Sequence, residues 1–108
     1  MVLAWVKGQA VAAAKVESLE GRRLLLVELL TLGEGGIVHT RKHMVCIDAV
    51  GVGEGELVLV VQGSSARQTP GLHDVPVDAV IVGIVEFASA LGLRLTAETL
   101  AAAEVLAA

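Results

Sequence analysis

The sequence predicts an all-β fold of five strands with a short C-terminal helix, on three observations. First, residues 56–61 (ELVLVV) and 77–87 (VDAVIVGIVEF) are short runs rich in β-branched residues and apolar on both faces, whereas a strand with one wet face alternates apolar and polar side chains. Second, glycine and proline punctuate the chain at Gly21, at Gly33 to Gly36, at Gly51 to Gly55 and at Pro70-Gly71, dividing the apolar runs into strand-sized pieces. Third, Thr96 stands before Ala97, Glu98 and a run of Ala, Leu and Val, which suits an N-capped helix over residues 97–107.

Taken in order, residues 2–14 form the first strand, and Gly8 in its middle marks a bulge or bend. Residues 15–23 (KVESLEGRR) are a charged loop closed by the Glu20-Gly21 turn, and residues 24–32 are the second strand. The Gly33-Glu34-Gly35-Gly36 connection leads into a third strand over residues 37–50. Its polar first half, from His39 to His43, is expected to face solvent or a partner. Residues 57–61 are the fourth strand, and the small polar loop from Gly63 to Arg67 follows it directly. Residues 68–76 (QTPGLHDVP) are a loop by their two prolines and the Pro70-Gly71 turn signal, and the extended geometry forced before Pro76 leads into the last strand. The fifth strand places Val77, Ala79, Ile81, Val85 and Phe87 on one side and Val80, Val82 and Ile84 on the other. An 11-residue helix at the end is marginal alone and needs a surface to pack on.

The doubly apolar strands carry a consequence for assembly. One small domain has one core, so the second face of such strands requires a further cover. Val80, Val82 and Ile84, together with Val58 and Val60, are therefore expected to meet another copy of the chain.

Composition narrows the function classes. The chain has 108 residues, 55% of them apolar, with one Trp, one Phe and no Tyr, and a net charge of −4. One domain of that size buries roughly 65% of its unfolded surface. The acidic balance and the near absence of aromatic rings disfavour nucleic-acid binding, which uses Lys and Arg against phosphates and rings for stacking. No apolar run reaches the roughly 18 residues of a membrane-spanning helix, and the N-terminus lacks the pattern of a secretory signal, so the expected location is the cytoplasm with no membrane partner.

The residues that could carry chemistry fit bland roles. Cys46 is the one cysteine, which excludes an intrachain disulfide and suits a buried thiol. His39 and His43, four apart on an extended strand, stand about 13 Å apart, too far to share a metal, and are expected at the surface. The glycines at 51, 53 and 55 precede a strand, whereas a dinucleotide-binding loop precedes a helix. Ser64 and Ser65 lack an identifiable base, and GSSAR lacks the second glycine of a nucleophile elbow. No catalytic, cofactor-binding or metal-ligating residue is assigned, and the chain is expected not to be an enzyme.

GELVLVVQGSSAR at residues 55–67 and PVDAVIVGIVE at residues 76–86 resemble the EutN/CcmL family of bacterial microcompartment vertex proteins. So do VKGQAV at residues 6–11, LEG at 19–21, LLLV at 24–27 and IDAVGVG at 47–53, all in the family's order. The resemblance covers residues 1–87 and leaves 88–108 as a C-terminal extension, expected to be helical. It implies a five-stranded, OB-like Greek-key β-barrel that assembles as a cyclic homopentamer and closes the five-fold vertices of a polyhedral shell. It further implies hexameric shell proteins as partners, with encapsulated cargo as another. A role near the five-fold axis falls either to Gly63, Ser64, Ser65, Ala66 and Arg67 or to the loop carrying Gly51, Gly53 and Gly55. The alternative from another class is an oligomeric OB-like module binding a small ligand or nucleic acid; an enzyme built on Ser65 and a histidine is a further rival.

Overall fold

Alternation along the strands decides what lies inside. In β1 (Val2–Ala10), β2 (Leu24–Gly33) and β4 (Leu57–Gln62) every second residue turns inward, and Ala4, Val6, Leu25, Val27, Val58 and Val60 meet in one interior. Cys46 of β3 (Gly36–Asp48) and Ile81 of β5 (Ala79–Ile84) complete it. The structure is a computed structural model and describes residues 1–13, 15–33, 36–72 and 76–107.

The five strands close in the order β1-β2-β3-β5-β4, with β4 pairing back onto β1 through Val2↔Val60 to Trp5↔Leu57. This is the Greek-key order of an OB-like barrel, in which closure removes exposed sheet edges. All pairings are antiparallel except the short β3–β5 contact at Ile47↔Val80 and Asp48↔Ile81. The expected irregularity at Gly8 is present: the β1–β2 register shifts between Val6 and Gly8. The first strand is shorter than expected, ending at Ala10, and the fifth begins at Ala79 rather than Val77. Part of the expected turn between β2 and β3, residues 34–35, lies outside the described residues, as do residues 73–75 of the loop before β5.

The C-terminal segment holds a short hairpin, β6 (Ala88–Ala90) and β7 (Leu93–Leu95), which the sequence reading did not anticipate, and then α1 (Ala97–Ala107). Leu91 and Gly92 both have positive φ, 54° and 78°, the backbone of a two-residue hairpin loop. At α1 the Thr99 N–H donates to Thr96 Oγ1 at 3.2 Å while the Thr96 N–H donates to Thr99 Oγ1 at 2.8 Å, a reciprocal capping box with Thr in place of the usual Glu. Leu100 is buried against Trp5, Leu30 and Leu57, so the helix packs on its own barrel.

Much of the second apolar face is covered by this chain itself, which corrects the expectation that another copy must cover all of it. Residues 63–68 form a 3-10 turn whose Ala66 packs with Leu72 onto Ile47 and Val80. On another wall the tail covers Trp5 and Leu57. Val80 is consequently 0% exposed, and Val58 and Val60, also 0% exposed, face the interior. None of these three has surface to offer a partner. The assumed grouping of Val80, Val82 and Ile84 on one face holds for Val80 and Val82, which pack in one cluster, but not for Ile84, because the register slips from Val60↔Ile81 to Leu59↔Gly83 and sets Ile84 opposite the inward-facing Val58. Val82 is half-buried and Ile84 is 49% exposed, so these two keep accessible surface.

Candidate functional site

The two candidate axis loops are each held rigidly, and they meet. Asp48 ends β3 with its side chain almost fully buried. Its Oδ1 accepts from the N–H groups of Val50 and Gly51 at 2.9 and 2.8 Å, and its Oδ2 accepts from Val52 N–H at 3.0 Å and from Arg23 Nη1 at 2.8 Å. Arg23 Nη1 also donates to the Val52 carbonyl at 2.8 Å. A short acidic side chain bonding to the backbone two to four residues onward is a common means of fixing a turn, and here an arginine locks it from outside. Gly51 and Gly55 carry φ of 85° and 88°, backbone that side chains with a Cβ rarely adopt. Trp5 Nε1 donates to the Gly55 carbonyl at 3.0 Å and Gly55 N–H to the Val6 carbonyl at 2.8 Å, stitching the loop to β1.

The second loop starts at Gly63, φ 65°, whose N–H donates to the Asp78 carbonyl at 2.8 Å. Ala66 is its buried anchor, and Ser64, Ser65 and Arg67 are exposed. Val50 from the first loop and Ser65, Gln68 and Pro70 from the second form a surface cavity of about 370 Å³ over Val61 and Val82. Among the described residues, no charged side chain lines it. Gly51, Gly53 and Gly55 extend beyond it along the first loop, and a Cβ at any of the three would meet no atom within 4 Å.

No hydrogen bond joins Ser64 or Ser65 to a histidine among the described residues. His39 is engaged elsewhere, and His73 lies outside the described residues. Among the described residues, no group of three or more His, Cys, Asp and Glu side chains is placed to hold a metal ion.

One polar centre escaped the sequence reading, which put His39 at the surface without a carboxylate near it. Glu28 on β2 has a completely buried side chain. Its Oε1 accepts from His39 Nδ1 at 2.8 Å and its Oε2 from the Arg41 N–H at 3.0 Å, with Lys7 Nζ 3.8 Å away. The Trp5 ring meets His39 edge to face at 5.6 Å and carries Lys7 Nζ over it at 4.9 Å. Burial pushes the Glu28 carboxyl up, but the His39 bond, the Arg41 N–H and the charges of His39 and Lys7 outweigh it and hold the carboxyl below its ordinary value of 4.5. Arg41 reaches the carboxylate because it sits at φ 63° in a bulge opposite Leu29, where Thr40 Oγ1 donates to the Leu29 carbonyl at 2.6 Å. The available signal was one Glu in the otherwise apolar LLLVELL, facing the polar HTRKH. Cys46 is the buried thiol expected, and burial, with Asp78 adding to it, pushes its pKa up to about 12.

These features can brace loops and present surface. Residues 1–86 match the family model described as ethanolamine utilisation protein EutN/carboxysome. The microcompartment shell vertex protein GrpN of Rhodospirillum rubrum is 43% identical over 86 residues, 80% of this chain and 93% of that protein. The carboxysome shell vertex protein CcmL of Synechocystis is 42% identical over 87 residues, 80% of this chain and 83% of that one. Among solved structures, CcmL of Gloeobacter violaceus superposes with a TM-score of 0.76 at 36% identity, covering 87% of this chain and 94% of that one. GrpN of Rhodospirillum rubrum, solved as a pentameric microcompartment shell protein, superposes at 0.69 with 40% identity, covering 84% of this chain and 99% of that one. With a family model spanning the barrel and relatives above 40% identity over four-fifths of its length, the chain belongs to the EutN/CcmL family.

Proposed function

We propose that this chain is a structural shell protein of a bacterial microcompartment, assembling as a homopentamer that caps the five-fold vertices of a polyhedral shell in the cytoplasm. The observation that carries the reading is the match of the whole barrel to GrpN, a pentameric shell protein that this chain covers over 99% of its length. Residues 1–87 serve as the shell domain and 88–108 as an extension. The partners are hexameric shell proteins at the rim of each pentamer, with encapsulated cargo as a further contact. Function is geometric: five copies supply a five-sided piece where six-sided tiles cannot close.

The axis role belongs to one of the two braced loops, Gly63 to Arg67 or the loop carrying Gly51, Gly53 and Gly55. Their rigidity supports it, since a narrow opening keeps its width only when its rim is fixed. A ligand- or nucleic-acid-binding module finds no support. The one tryptophan is 6% exposed, and Phe87 lies under the Arg94 guanidinium at 4.0 Å, so no open row of aromatic rings is presented.

Deleting this chain from its host and imaging the shells by electron microscopy tests the role. Elongated or unclosed shells, restored to closed polyhedra by re-expression, are the expected result. Normally closed shells in the deletion strain, with no second vertex protein present, would overturn it.

A further inference from the structure

Closure of the barrel is narrow at one seam. β3 is 13 residues long, but among the described residues β5 meets it only at Ile47↔Val80 and Asp48↔Ile81. Upstream of that contact the two strands part: the Asp78 carbonyl accepts from Gly63 N–H, and β5 begins at Ala79. On its other side β3 stays paired with β2, from Ile47↔Leu24 back to His43↔Glu28.

The direction of the backbone groups shows what the seam leaves open. Asp48 N–H donates to the Arg23 carbonyl, on the β2 side, and Ala49 N–H donates to the Ile81 carbonyl, on the β5 side. Successive residues of a strand turn their N–H and C=O groups to opposite sides, so Val45 and His43 turn theirs to the β5 side. Among the described residues no strand pairs with them there. Val45 is 46% exposed and His43 is exposed, so this edge meets solvent, and the bulge at Arg41, φ 63°, ends it. Beside the edge lies a surface depression of about 220 Å³ bordered by Val45, Leu19, Leu24, Val77 and Asp78. Asp78 is exposed and is the one charged side chain of that border among the described residues.

An open strand edge is a template for another strand: its unpaired groups supply the hydrogen bonds, and neighbouring side chains select the sequence. Val45 shares the outer face with Ile47, as Asp78 does with Val80, so residues two apart on an added strand reach both. We infer that the His43–Val45 edge takes up an extended segment of a partner protein by strand addition, with an aliphatic side chain against Val45 and Val77 and a Lys or Arg two residues away facing Asp78. This surface goes beyond the shell role and does not depend on the number of copies in the assembly.

The test titrates a fluorescein-labelled peptide, Val-Thr-Lys-Thr-Val, into the full chain in its native assembly and follows anisotropy. Saturable binding is expected. Two N-methylated forms, blocked at the Val and Lys amides or at the Thr amides, should differ, because a strand pairs through alternate residues and only one form loses its donors. Val45→Pro removes an N–H that does not face β2, so circular dichroism should be unchanged while affinity falls about tenfold or more. Asp78→Lys, on an exposed side chain, should weaken binding similarly and provides a second variant. No saturable binding to wild type, equal binding by the two N-methylated forms, or full affinity in folded Asp78→Lys would overturn the inference. The pentamer is read separately by native mass and stands or falls without it.

Discussion

Glu28 is the residue on which the polar side of the barrel turns. Replacing it with Ala leaves the His39 ring and the Arg41 N–H without their acceptor in a largely shielded place. Removing one partner from a buried charged cluster costs about 3–5 kcal/mol, and urea unfolding at pH 7 should show that loss; an unchanged midpoint would contradict it. The pH dependence has a definite sign. With the folded carboxyl held below 4.5, its stabilisation is present above the unfolded value and is lost as pH falls through the lower folded one, so Glu28→Gln should flatten the acid limb of the stability curve. This centre was not legible in the sequence. The Glu28–His39 bond depends on a register slip between β2 and β3 and on the left-handed backbone of Arg41, and neither follows from alternation. The Asp48 turn was legible as a glycine-rich connection, but its arginine lock joins residues 25 apart.

Among the elements, the five strands and the helix follow from local patterns: alternation for the interior, glycine at the turns, Thr96 at the cap. The β6–β7 hairpin was hidden because ASALGLRL contains no β-branched residue and no strong turn pair. Its position is nonetheless tight: a Cβ at Gly36, φ 114°, would come within 2.6 Å of Leu93 Cδ1. The covering turn at 63–68 was hidden too, since its apolar contribution is a single alanine set among serines. The tail contributes packing chiefly through Leu100, 3% exposed against Trp5, Leu30 and Leu57. Leu100→Ala should therefore cost about 2–5 kcal/mol and shift Trp5 fluorescence to the red as its cover loosens. An unshifted spectrum and an unchanged melting temperature would show that the tail does not seal that wall.

For the whole molecule, the inference from doubly apolar strands was too broad in extent. Its own chain covers Val80 and Leu57, while Leu26, Val45 and Ile84 stay exposed. GrpN, which superposes on this chain, is a pentameric shell protein, and a ring of five is the assembly proposed here. Native mass spectrometry of the purified chain at micromolar concentration tests this most directly. Five chains of 11.1 kDa should give one species of about 55 kDa, and a stable monomer or dimer at that concentration would contradict a vertex pentamer.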